Sequence, residues 1–145
     1  LPNMLTDYPK YLRKAYEFAV AHDYDYNLRT HHCAVLVKGG TMLGVGYNGP
    51  TTNSFVEYYA DRARGPRAYS LSTHAELDVI QRYRKKTDLT GSKLYVFRRS
   101  FDPAYGVAAM SRPCPICALA IQDHGISRVV YSISDAEYGV MAVSS

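Results

Sequence analysis

Apolar positions along the chain change period several times, and each change marks a structural element. Leu12, Ala15, Tyr16 and Ala19 recur at helical spacing, predicting an amphipathic helix from about Pro9 to Ala21, with proline suited to a first turn. Two β-rich runs follow, Cys33 to Lys38 and Thr41 to Tyr47, split by Gly39-Gly40, which is a hairpin signal. Residues 49–73 lose any clear period and contain Gly65-Pro66, so they are expected to form a long loop with room for a short helix from Phe55 to Ala63. A further helix is expected from Thr73 to Lys86, with Leu77, Val79 and Ile80 inward and cations at its negative end. Lys93 to Phe97 reads as a third strand, and Ser100 to Arg112 as a loop. Cys114 to His124 reads as a helix closed by Gly125. Ile126 to Ser132 reads as a fourth strand, Ser134 to Glu137 as a turn, and Tyr138 to Val143 as a fifth strand returning on the fourth. The order αββαβαββ implies an α/β fold, a three-layer α-β-α domain around a mixed five-stranded sheet.

Composition narrows the function classes. The 145 residues fit a single domain over 1–145, long enough to bury a core without disulfide staples. No run approaches the about 20 apolar residues of a membrane span, so no membrane partner is expected. Leu1 to Asp7 lack the basic and apolar segments of a secretory signal. Three cysteines, two of them in a C-x-x-C pair, fit metal binding or redox work in a reducing compartment better than a disulfide framework, and a cytoplasmic setting is expected. A net charge of +4 is compatible with phosphate-bearing ligands without demanding nucleic acid.

The chemistry-bearing residues are Thr73-His74-Ala75-Glu76 and Pro113-Cys114-Pro115-Ile116-Cys117, each at the start of a predicted helix. Cys114 and Cys117, three residues apart on a first turn, point the same way, and the free N–H groups there favour thiolate. With His74 they give zinc three protein ligands and leave a fourth position for water, whereas a structural site would normally close all four. Zinc lowers the pKa of its water from 15.7 to about 7, giving a hydroxide that can attack at neutral pH. Glu76, two residues from His74, is placed to take a proton from that water and pass it to a ring nitrogen and a leaving amine. The bland alternative is a structural zinc site, for which an intact Glu76 has no purpose.

His74-Ala75-Glu76 with Pro113-Cys114-Pro115-Ile116-Cys117 resembles the H-x-E…P-C-x-x-C signature of the cytidine deaminase-like superfamily, over most of the chain. The resemblance implies zinc held between the two helices and hydrolytic deamination of a cytosine nucleoside or nucleotide, with Glu76 as proton shuttle. It also implies that Asn48, in Gly46-Tyr47-Asn48-Gly49, contacts the substrate sugar, and that the backbone N–H of Ala75 holds the base carbonyl. The N–H groups of Cys114 and its neighbour would face the zinc-bound oxygen. The bland reading of Asn48 is a turn residue before Gly49.

Other features bear on the substrate. The Gly46 to Gly49 segment and the 25 residues between Asn48 and His74 look most like deoxycytidylate deaminases, whereas a fifth strand directly after the fourth resembles free-nucleoside enzymes. Residues 49–73 lack the Cys or His that some deoxycytidylate enzymes use for a second zinc. The 36 residues between Glu76 and Pro113 include added length from Arg98 to Arg112, near the mouth of the site. A second reading, deamination of a base in single-stranded DNA or RNA, would draw on Arg98, Arg99, Arg112 and the cluster Arg62, Arg64 and Arg67. A third is a zinc-bound assembly module without catalysis. Phe55, Tyr58 and Tyr59 are candidates to stack on a base. His31 and His32 are placed at the pocket rim, outside the metal site, His22 and His124 at helix ends, and Cys33 in the core. The 14 tyrosines permit the self-association common in this superfamily, and a homo-oligomer is expected.

Overall fold

The computed structural model describes residues 5–63, 72–102, 104 and 106–143. The elements are α1 (Lys10–Ala21), β1 (His31–Lys38), β2 (Thr41–Tyr47), α2 (Ser54–Ala63), α3 (Ala75–Tyr83), β3 (Lys93–Arg99), β4 (Ala108–Ala109), α4 (Pro115–Asp123), β5 (Arg128–Ser132) and β6 (Tyr138–Ala142). Five strands lie in the order β2-β1-β3-β5-β6, with β4 added beside the end of β3. β1 is antiparallel to β2 and β3, β3 is parallel to β5, and β5 is antiparallel to β6, so the sheet is mixed. Among the described residues no helix is long and apolar enough to cross a membrane.

The central strand shows why the hydrophobic runs read as they do. Cys33 to Val37 are all buried, because β1 has a helical layer on each side. Ala34 and Leu36 point to a core shared with α2, α3 and α4, whereas Cys33, Val35 and Val37 point to a core under α1. Each fully buried Val or Leu contributes about 1.5–3 kcal/mol relative to exposure. At the hairpin, Gly39 and Gly40 both take positive φ, 59° and 76°, the backbone of a tight turn between twisted strands.

Element boundaries differ from the sequence reading where tertiary bonds intervene. α3 starts at Ala75 instead of Thr73 because Thr73 bridges Gly49 and donates its N–H to the Thr51 carbonyl (2.8 Å). α2 forms in full, capped by the Asn53 side chain, which accepts from the Val56 N–H (3.0 Å). β1 begins at His31 and β3 runs on to Arg99, because these ends pair with each other. Part of the expected 100–112 loop is ordered as β4, the sixth strand. The buried Asp135 carboxylate accepts from the N–H groups of Val107 (2.9 Å) and Ala108 (2.7 Å) and holds that segment against the sheet.

One contact sets the distance between β2 and α3. A Cβ on Gly46 would lie 2.4 Å from the Ala75 carbonyl oxygen and 2.7 Å from the Val79 nitrogen, both backbone atoms that cannot swing aside. Glycine here lets the first turn of α3 rest directly on the strand. Gly46→Ala is therefore expected to lower unfolding free energy by about 1–3 kcal/mol, measured by urea denaturation. Wild-type stability in that variant would show that the two elements are not held at contact distance.

Candidate metal centre

The first turns of α3 and α4 meet at the end of the sheet where β3 finishes. His74 is the N-cap residue of α3, in extended conformation, and Cys114 is the N-cap of α4, followed by Pro115. The proline presets φ at a helix start and lacks the N–H that would be unsatisfied there. Cys117 lies on the same turn, fully buried. The His74 Nδ1 is 3.3 Å from the Cys117 Sγ and 3.5 Å from the Cys114 Sγ, and the three donor atoms all lie within 4.8 Å of one another.

This set fits zinc. A nitrogen and a sulfur bound to one tetrahedral zinc at about 2.0 and 2.3 Å lie about 3.5 Å apart. The Cys114 thiol is pushed down to about 4, chiefly by a hydrogen bond from Cys117, so one donor is already a thiolate. The His74 pKa is raised, first by its bond to Cys114. His74, Cys114 and Cys117 can thus hold a zinc ion, and no fourth His, Cys, Asp or Glu joins them among the described residues.

Glu76 sits one residue into α3 and is only 4% exposed. Burial pushes its carboxyl up, while the nearby His74 ring draws it down. A buried carboxyl beside the donors, paired with no Lys or Arg among the described residues, is suited to hold and release a proton. It opens on a cavity of 190 Å³ that His74 and Cys114 also line.

Asn48 reaches the same cavity but is no simple turn residue. Its side-chain oxygen accepts from the His32 N–H (2.8 Å), and its Nδ2 donates to the Thr30 carbonyl (2.8 Å), tying the exit of β2 to the entry of β1. Nδ2 also donates to the Thr30 hydroxyl (3.4 Å), so it is the side-chain oxygen that keeps capacity for one further bond. The preceding Tyr47 N–H donates to Asp78 on α3 (3.0 Å), which fixes the segment against the helix. Ala75 is fully buried at the Gly46 contact, and its N–H, in the first turn, has no intrahelical acceptor.

The other sequence candidates separate clearly. His32 does line the cavity, while His31 stacks on Tyr24 on the opposite side of the strand (4.0 Å between centroids). His22 and His124 cap helix ends, and Cys33 is a buried core residue. Phe55 and Tyr59 are buried in the core, and neither they nor Tyr58 reach the cavity. Arg62 pairs with Asp123 (2.6 Å), away from the site, and Arg64 and Arg67 lie outside the described residues. Arg98 and Arg112 line the cavity, whereas Arg99 lies over Phe101. Thr30, Ser72, Met110 and Ser111 also line it, and no sequence signal marked them.

Residues 6–133 match the family described as the cytidine and deoxycytidylate deaminase zinc-binding region, and the chain belongs to that family. Among solved structures, a dCMP deaminase from the cyanophage S-TIM5 in its apo form is similar over 83% of this chain and 78% of that one, with 21% identity and a TM-score of 0.52. The same enzyme in complex with dCMP and dUMP gives a TM-score of 0.53 at 20% identity, over 83% and 76% of the two chains. A cytidine deaminase from Burkholderia pseudomallei is similar over 91% of this chain and 90% of that one, with 16% identity and a TM-score of 0.59. At these identities the likeness is one of fold. No curated protein sequence matches the chain significantly.

His32 gives the site a measurable acid response. Its pKa is lowered from 6.5 to about 3, first by burial and then by the charge of Arg98. Between those values the unfolded chain takes up a proton that the folded chain refuses, so stability falls as pH drops below 6.5. In metal-free protein, urea midpoints at about pH 7 and about pH 5 should differ, with His32 contributing up to about 1.4 kcal/mol per pH unit. His32→Gln should flatten that dependence. An unchanged slope would show that His32 is not the group responsible.

Proposed function

We propose that the protein is a zinc-dependent hydrolytic deaminase of a cytosine nucleoside or nucleotide. The observation that carries this reading is the buried Glu76 carboxyl, set beside three metal donors at the floor of a cavity. A structural zinc site, or a silent assembly module, gives no reason to bury a carboxyl there.

When bound, zinc at His74, Cys114 and Cys117 supplies Lewis acidity that brings the pKa of water close to 7. The chain's own residues do the rest. Glu76 accepts a proton from the attacking water as its oxygen adds to the amine-bearing carbon of the base. Glu76 passes that proton to the ring nitrogen, then takes the second proton from the added hydroxyl as the carbonyl forms and delivers it to the exocyclic amine, which leaves as ammonia. The Ala75 N–H, lacking an intrahelical acceptor, is assigned to the base carbonyl, and the spare Asn48 capacity to a sugar hydroxyl. The N–H groups of the first turn of α4 are assigned to the oxygen that develops charge.

The proposal extends to a cytoplasmic setting, supported by three free cysteines, and to self-association. Tyr138 and Val140 are exposed on the edge strand β6 and offer apolar area for a second copy. The experiment on the central reading pairs metal content with ammonia release across cytidine, deoxycytidine and their monophosphates. Glu76→Ala should keep its zinc and lose about 10²- to 10⁴-fold in rate, whereas Cys117→Ser should lose zinc. An active Glu76→Ala enzyme would sink the proton-transfer role.

A further inference from the structure

Two arginines, Arg98 and Arg112, line the cavity. The Nε of Arg98 is buried and has no hydrogen-bond partner. Arg112 is exposed at the rim, with a long contact, 3.5 Å, to the Tyr131 hydroxyl and its guanidinium over the Tyr131 ring (5.9 Å to the centroid). Among the described residues neither is paired with a carboxylate, in contrast to Arg62 with Asp123 and Arg82 with Asp78. A buried donor left unsatisfied costs stability, so a site that keeps one calls for an acceptor from outside the chain.

Both arginines are held by defined structure. The backbone N–H of Arg98 donates to the Ser132 hydroxyl (3.1 Å) at the end of β5. Ser111, next to Arg112, donates from its hydroxyl to the Val96 carbonyl (2.8 Å) and from its N–H to the Ser132 carbonyl (2.9 Å). The cations therefore project from a pinned segment, two residues from Cys114 in the case of Arg112.

We propose that Arg98 and Arg112 form a phosphate-recognition pair that selects a nucleoside monophosphate over the free nucleoside. Guanidinium groups match phosphate oxygens in geometry as well as charge. The inference rests on the reading of the cavity as a nucleoside site.

The test measures turnover and equilibrium binding of deoxycytidine, deoxycytidine monophosphate and a short single-stranded oligodeoxycytidine by the zinc-loaded protein. The expected result is a preference for the monophosphate over the nucleoside of about ten- to a hundredfold, falling at least tenfold in Arg98→Gln and in Arg112→Gln. In the wild type, inorganic phosphate should compete with the monophosphate and not with the nucleoside, a measurement that does not depend on the variants folding. Arginine-dependent binding of the monophosphate without ammonia release would support phosphate recognition and contradict deamination. Equal use of nucleoside and monophosphate would overturn the phosphate pair and leave deamination standing. Binding or turnover of the oligonucleotide alone would overturn it in favour of nucleic acid.

Discussion

The first turn of α3 lies in direct contact with β2, and the geometry of the metal centre follows from that contact. Gly46 permits it, since any side chain there would meet the Ala75 carbonyl and the Val79 nitrogen. With α3 seated, His74 at its N-cap reaches the first turn of α4, where Cys114 and Cys117 wait three residues apart. Glu76 is carried into the interior by the same seating, and Asp78 binds the Tyr47 N–H from the same helix. Donors, carboxyl and the Asn48 segment are thus positioned by one packing decision between a strand and a helix.

The opposite wall of the cavity depends on buried polar groups instead. Asp135 satisfies the Val107 and Ala108 N–H groups, while Ser111 and Ser132 bond each other (2.9 Å) and the backbone around them. These bonds turn an irregular stretch into a fixed edge beside β3. A buried network of this kind is stable only when its members are satisfied. The Arg98 Nε is an unmet donor beside it, at the point where the wall faces the metal donors.

Much of this was legible in the sequence because the governing signals are local. The run Cys33 to Val37 declares a strand buried on both faces, and Gly39-Gly40 declares the turn after it. His74, Glu76, Cys114 and Cys117 announce themselves through ligand chemistry and helix-start spacing. What escaped depends on pairings between distant segments. Ala108-Ala109 has no period to betray a strand, and it forms one only because β3 continues to Arg99. Thr73 looks helical until its bridge to Gly49 is known. Asn48 stands out in the sequence as a candidate sugar contact, but the engagement of its amide by Thr30 and His32 is visible only once the folded hairpin brings them near. Phe55 and Tyr59 are candidates to stack on a base from their place in the 49–73 segment, but they are core residues because α2 packs against α4.

The central claim is that His74, Cys114 and Cys117 hold a zinc ion whose chemistry Glu76 completes as a deaminase. Titrating zinc into metal-free protein while following ammonia release from cytosine nucleosides and nucleotides tests it most directly. The account predicts that activity rises with zinc and saturates at one ion per chain. Uptake of one ion per chain with no ammonia released from any of these substrates would contradict it.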